Sequence, residues 1–161
     1  PSTVIELASI SNIIGIKDSS SDLGYLSSIQ NLVENRPDFS LFVGIEELTA
    51  YFLLMGGHGG ITGGANMFPK LYVDMYNAAT EKNIDKLMPL HKKIIEVSNS
   101  IYHIGKYGSS MIKGIKCVLS LMGICSDFMA EPFHRFRQPE RDIIHKKLKK
   151  INIDGYDNQY G

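Results

Sequence analysis

A chain of 161 residues with 43% hydrophobic and 21% charged side chains has apolar material for one sizeable core and lacks the depletion that marks disorder. Seventeen Lys and Arg cancel seventeen Asp and Glu, so the formal net charge is +0 and no chain-wide field favours nucleic acid or an anionic membrane. No apolar run nears the ~20 residues that span a bilayer, and no basic segment followed by a hydrophobic core opens the sequence; a cytoplasmic location and a small soluble partner are expected.

Thr3 to Ser9 reads as the last turns of a helix, and Asn12 leads into NIIGIK, short and β-branched enough for a buried strand. Asp22 can cap the next helix, along which Leu23, Leu26, Ile29, Leu32 and Val33 recur at helical spacing until Arg36-Pro37-Asp38. SLFVG predicts a second strand, IEELTAYFLLMGG a helix closed by Gly56 and Gly57, and GGITGG a third strand. Strand and helix alternating at intervals of roughly 25 residues is the rhythm of a parallel sheet with crossover helices, so the first half is α/β. From Phe68 onward the pattern is helical: PKLYVDMYNAATEKN, IDKLMPLHKKIIEVSNSIYHI, SMIKGIKCVLSLMG and PERDIIHKKLKK, with no strand signal after Gly64 and a polar tail that is expected to fray. Cys117 and Cys125 fall within a stretch read as helical, where eight residues at ~1.5 Å rise set them about 12 Å apart. That is too far for a disulfide, and both are expected to be reduced, buried fillers.

Lys17 ends the first apolar run and is followed at once by DSSSD. Alternation on a strand puts Ile13, Gly15 and Lys17 on one face and Ile14 and Ile16 on the other. Lys17 also stands at the carboxyl end of its strand, where ligands collect in parallel α/β folds, level with Gly44 to Glu47 and Ile61 to Gly64. An ammonium of ordinary pKa ~10.4 has no lone pair with which to attack a carbonyl; desolvation worth roughly 4 kcal/mol would make the neutral amine common enough to form a Schiff base. On residue pattern alone, a solvated lysine paired with Asp18 or Asp22 competes with that role.

Taken together, IIGIKDSSSD, then FVGIEE, then GGHGGITGGANMFP, with KCVLSLMGI and EPFHRF beyond, resemble in order the dihydrodipicolinate synthase and N-acetylneuraminate lyase family from Pro1 to about Lys150. The resemblance implies a (β/α)₈ TIM barrel with extra C-terminal helices and a lysine that binds pyruvate, or the pyruvate end of a larger 2-oxo acid, as an imine. Lys17 is then the nucleophile. Ile61, through its main-chain carbonyl, and Thr62 would line the imine, whereas Gly44, Glu46, Glu47 and Gly63 match positions that contact the aldehyde-derived or sugar part of the substrate. No organic cofactor and no metal are implied; the partners are a 2-oxo acid and an aldehyde, and relatives are commonly tetramers, so a homo-oligomer is expected.

Such barrels run to ~250 residues, and three strands are visible before the terminal helices. The expected division is residues 1–67 as the last three βα units, 68–150 as the final barrel helix with the C-terminal helical segment, and 151–161 as a polar tail. A missing N-terminal half would supply the family's proton-relaying tyrosine and its carboxylate-holding hydroxyl motif; Tyr25 and Tyr51 lie in helices and match neither. Ser21 stands where relatives often carry glycine, Glu46 where many carry aspartate, and Gly63 where sialic-acid lyases tend to have serine. Thr62-Gly63 with Ala65-Asn66 resembles aldolases for 2-keto-3-deoxy sugar acids, while GIEE leans toward lyases for polyhydroxylated substrates. Dihydrodipicolinate synthesis, sialate cleavage and keto-deoxy sugar-acid cleavage all stay open.

GGHGGITGG also invites a phosphate-cradle reading, but Gly57 and Gly59 lack a third glycine at position 62 and no Gly-Lys-Ser/Thr closes a P-loop. His58, His91, His103, His134 and His145 are scattered without metal-ligand spacing. HKKLKK reads as solvated helix surface. The second functional class is a non-catalytic barrel relative, or an incomplete half-barrel that binds a 2-oxo acid or only assembles with partners. The enzyme reading requires Lys17 buried beside Gly44 and Ile61.

Overall fold

The computed structural model describes residues 1–32 and 34–151; Val33, the side chain of Leu32 and residues 152–161, nearly all of the expected tail, lie outside the described residues. Helix α1 (Ser2–Ala8) precedes β1 (Gly15–Asp18), and α2 (Leu23–Leu32) leads to β2 (Ser40–Val43). Helix α3 (Glu46–Leu54) then returns the chain to β3 (Gly59–Gly60). Beyond a 3₁₀ turn at Gly64–Asn66 come α4 (Pro69–Thr80), α5 (Ile84–Ile101), α6 (Ser110–Leu121) and α7 (Gln138–Lys150).

Local chemistry accounts for the boundaries. The Asp22 carboxylate accepts from the Tyr25 amide at 2.9 Å and the Asn83 side chain from the Lys86 amide at 3.1 Å, so α2 and α5 each begin on a cap worth about 1 kcal/mol. Prolines occupy the first turns of α4 and α7, where their missing N–H costs nothing, and Lys147, Lys149 and Lys150 complement the dipole in the last turn of α7.

The three strands form a parallel sheet in the order β1-β2-β3, with Lys17 opposite Phe42 and Phe42 opposite Gly59. The ladder runs past the strands: the Gly44 amide donates to the Asp18 carbonyl at 2.6 Å and the Ile61 amide to the Val43 carbonyl at 2.8 Å. His58 extends it at the other end, donating its amide to the Leu41 carbonyl at 2.9 Å and accepting the Leu41 amide on Nδ1 at 3.0 Å. This last histidine is thus a strand-edge partner.

One face of the sheet is covered. Leu41 and Val43 pack with Val4 and Ala8 of α1, Leu26 and Ile29 of α2, and with Phe39 and Phe52. A larger core lies among α3 to α7, centred on Leu71, Met75, Leu87, Ile94, Val97, Cys117 and Ile144. The first strand is not the buried run that NIIGIK predicts: Ile14 is 66% exposed, and within β1 the one buried residue is Asp18. The reason is topological, since β1 is an edge strand with a neighbour on one side. Nor are both cysteines fillers. Cys117 is buried in α6, but the helix ends at Leu121, and Cys125, beyond it, is exposed; both are free thiols.

Candidate functional site

The carboxyl ends of the strands bring together three of the residues singled out by sequence. Lys17 shares the uncovered face with Phe42 and Gly59, as alternation demands, and its Nζ donates to Ser19 Oγ at 3.0 Å. Gly44 lies directly beside it: a Cβ there would stand 3.2 Å from Lys17 Cδ and 2.1 Å from Ser19 Oγ, so glycine leaves the lysine its space. Ile61, one residue past β3, is 57% exposed at the same level. The ion-pair alternative is not what the fold adopts. Asp18 points to the covered face, is 9% exposed and accepts from the amide and hydroxyl of Ser20 at 3.2 and 2.9 Å, while Asp22 caps α2.

The burial that the enzyme reading requires of Lys17 is not supplied by the described residues alone. Its side chain is exposed, because among the described residues no strand covers the edge of β1 or the face it shares with Phe42. The turn after it explains a departure noted in the sequence: Ser21 has φ 65°, a left-handed conformation in which glycine is free of strain and serine is not.

The other sequence-selected residues divide. Thr62 is 8% exposed, with its methyl against Gly60. Gly63 packs on α6: a Cβ there would meet Met111 Cε at 2.7 Å and Ile115 Cδ1 at 2.8 Å. Glu47 is exposed, receives a hydrogen bond from Ser98 Oγ, and lines a cavity of about 520 Å³ together with Gly44, Tyr102, Lys106 and Tyr107. Glu46 borders the same cavity, but its carboxylate is turned inward. It is 1% exposed, its Oε1 accepts from the Gly64 amide at 2.6 Å and from the Tyr102 hydroxyl, and its Oε2 accepts from the Tyr72 hydroxyl. Burial pushes the Glu46 carboxyl above the usual carboxylate range, against the pull of the two tyrosines and the Gly64 amide. Burial beside this carboxylate raises both phenols far above their ordinary value.

Sequence reasoning had no local signal for Tyr72 and Tyr102, which lie 26 and 56 residues from Glu46. Among the described residues no group of three or more His, Cys, Asp or Glu is placed to hold a metal ion. Nor is any helix among them long and apolar enough to cross a membrane.

Residues 1–151 match the dihydrodipicolinate synthetase family. A 4-hydroxy-tetrahydrodipicolinate synthase of Methanopyrus kandleri is 30% identical over 162 residues, covering 95% of this chain and 49% of that protein. A probable 2-dehydro-3-deoxy-D-pentonate aldolase of Escherichia coli is 37% identical over 121 residues, covering 73% of this chain and 40% of that protein. Among solved structures, a dihydrodipicolinate synthase of Bacteroides thetaiotaomicron superposes with a TM-score of 0.90 at 47% identity, over 93% of this chain and 50% of that one. The chain spans about half the length of the curated relatives it matches. Its architecture is α/β, three parallel strands of a TIM barrel followed by extra helices. On the match of residues 1–151 and these likenesses, the chain belongs to the dihydrodipicolinate synthetase family.

Proposed function

We propose that this chain carries the lysine of a Schiff-base-forming, pyruvate-dependent aldolase or lyase. The supporting observation is the placement of Lys17 at the carboxyl end of β1, beside Gly44 and level with Ile61, within the family match. The neutral amine of Lys17 attacks the carbonyl carbon of a 2-oxo acid, and loss of water leaves a protonated imine. That cation is an electron sink: loss of a proton from the adjacent carbon gives an enamine, which attacks an aldehyde; in the reverse direction a C–C bond breaks and its electrons enter the imine. Hydrolysis returns Lys17 and the 2-oxo acid. The lysine is the covalent group, so no organic cofactor and no metal enter the cycle.

Ile61 and Thr62 flank the imine and Gly44 leaves room for it. Glu47, on the wall of the 520 Å³ cavity, is the residue offered to the aldehyde-derived part. Candidate substrates run from the aldehyde of dihydrodipicolinate synthesis to 2-keto-3-deoxy sugar acids and sialate. Residues 1–67 would form the last three βα units, 68–150 the final barrel helix and helical segment, and 151–161 a tail.

An open sheet edge is unstable alone, and both edges here are open: Ile14 at β1 is 66% exposed, while the apolar side of α4 beside β3 leaves Val73 54% exposed. An N-terminal half of the barrel is the proposed complement. It would cover Lys17 and supply the desolvation that the amine requires. A homo-oligomer, a tetramer by resemblance, and a cytoplasmic location complete the proposal.

A second reading, a non-catalytic half-barrel, draws on the exposure of Lys17. Turnover of pyruvate with a panel of aldehydes separates the two: the enzyme reading expects activity when the barrel is complete, abolished by Lys17→Ala with the fold intact and cut sharply by Gly44→Ala. A complete, folded barrel with no turnover supports the second reading.

A further inference from the structure

The residue whose expected and observed roles differ most is Glu46. Glu46 borders the 520 Å³ cavity with Gly44 and Glu47, yet it is 1% exposed and its two oxygens already accept three hydrogen bonds. The donors come from three different places: the main chain of the turn after β3, α4 through Tyr72, and the C-terminal end of α5 through Tyr102. Glu46 itself stands in the first turn of α3, two residues after Gly44, so one carboxylate joins the wall beside Lys17 to the turn that follows Ile61.

We propose that Glu46 is a positioning residue, whose buried carboxylate, itself held by the hydroxyls of Tyr72 and Tyr102, binds the Gly64 amide and so holds the Ile61–Gly64 turn at a fixed distance from Lys17 and Gly44. The inference rests on the reading of Lys17 as the imine-forming residue. It assigns Glu46 no contact with substrate.

Two further observations support it. Gly64 has no room for any side chain: a Cβ would stand 1.9 Å from the Tyr72 hydroxyl oxygen and 2.8 Å from Glu46 Oε2, so the turn and the carboxylate are packed as one unit. The arrangement is also anchored at its far end, because Tyr72 and Tyr102 belong to the main helical core and are 6% and 8% exposed. Moving the turn therefore means moving two core tyrosines or abandoning a buried carboxylate, each far costlier than losing a surface contact.

The test uses Glu46→Gln, with Tyr102→Phe as a milder variant that removes one donor and keeps the ring packed. Two quantities are read in the full chain with its barrel complement. One is amide hydrogen exchange at Gly64 relative to Met75 and Ile94 in the neighbouring helices; the other is the rate of borohydride-trapped pyruvate imine on Lys17. A lost hydrogen bond to a charged group corresponds to about a 10-fold effect or more. The proposal expects Gly64 to exchange at least about 10-fold faster in Glu46→Gln while Met75 and Ile94 are unchanged, with imine formation slowed by a similar factor and the KM for aldehyde little altered.

Unchanged Gly64 exchange overturns the proposal whatever the activity does. Equal acceleration at all three amides overturns it in favour of a purely stabilising role, and a selective rise in the KM for aldehyde overturns it in favour of substrate contact. Failure of wild type to form any imine counts against the reading of Lys17, and the exchange measurement still decides whether Glu46 fixes the turn.

Discussion

Gly64→Ala places one methyl group against the Glu46 cluster. The added Cβ would lie 1.9 Å from the Tyr72 hydroxyl oxygen, 2.7 Å from Tyr72 Cζ and 2.8 Å from Glu46 Oε2, where ordinary contact begins near 3.4 Å. Relief requires the phenol or the turn to move by about 1.5 Å, the difference between 3.4 and 1.9. Tyr72 is 6% exposed, so it cannot swing into solvent, and the movement breaks its hydrogen bond to a buried carboxylate. Such a loss costs about 3 kcal/mol, being a bond to a charged group with its desolvation left uncompensated. With a urea slope of about 2 kcal/mol/M, the unfolding midpoint falls by about 1.5 M. Gly108→Ala is the control, because a Cβ there meets nothing within 4 Å and the midpoint should stay put. Tyr72→Phe removes the oxygen that the methyl strikes, so the double variant should lose less than the sum of the two single ones. Equal midpoints for Gly64→Ala and Gly108→Ala would refute the packing argument, and strict additivity with Tyr72→Phe would refute its attribution to the hydroxyl.

Other consequences are accessible to simple measurements. Ser21, at φ 65°, should tolerate glycine: Ser21→Gly is expected to match or exceed wild-type stability by up to about 1 kcal/mol, and a clear loss in thermal melting would show that its side chain matters more than its backbone. Tyr72 and Tyr102 are held above the ordinary phenol value by burial and by Glu46, so the stability they contribute is present below about pH 10 and is lost as the pH rises beyond it. Phenolate absorbance from these two residues should therefore appear in one step with alkaline unfolding, and a smooth titration before unfolding would contradict their burial. Asp127 is 5% exposed and paired with Arg141, which fastens α7 to the segment after α6. Asp127→Ala should cost about 2 kcal/mol, less than a fully buried pair because Arg141 reaches water, and an unchanged denaturation midpoint would mark the pair as ornamental.

The helices were legible because their signals are local. Asp22 sits at the cap it predicts, Pro69 at the start of α4, and Leu87, Ile94, Val97 and Ile101 on one buried stripe of α5. The sheet was legible in order and direction but less so in extent. Lys17 shares a face with Phe42 as alternation requires, yet periodicity says nothing of whether a strand is central or an edge, which decides its exposure. GGITGG read as a strand, and two residues of it are one, since the chain turns at Gly63 and Gly64 to pack on α6 and around Glu46. The motif GIEE marked a place where charge matters without saying which carboxylate faces outward. Both line the cavity, but the Glu46 carboxylate turns inward because Tyr72 and Tyr102, remote in sequence, supply its donors. A buried tyrosine needs a hydroxyl partner, but which partner Tyr72 meets is set by the fold and has no local signal.

The chemistry proposed for Lys17 is tested most directly by incubating the protein and its barrel complement with pyruvate, reducing with borohydride and mapping the modified peptide by mass spectrometry. One reduced pyruvate adduct is expected, on Lys17, absent in Lys17→Ala and diminished in Gly44→Ala. An adduct on another lysine, or none on a complete and folded barrel, would contradict that chemistry.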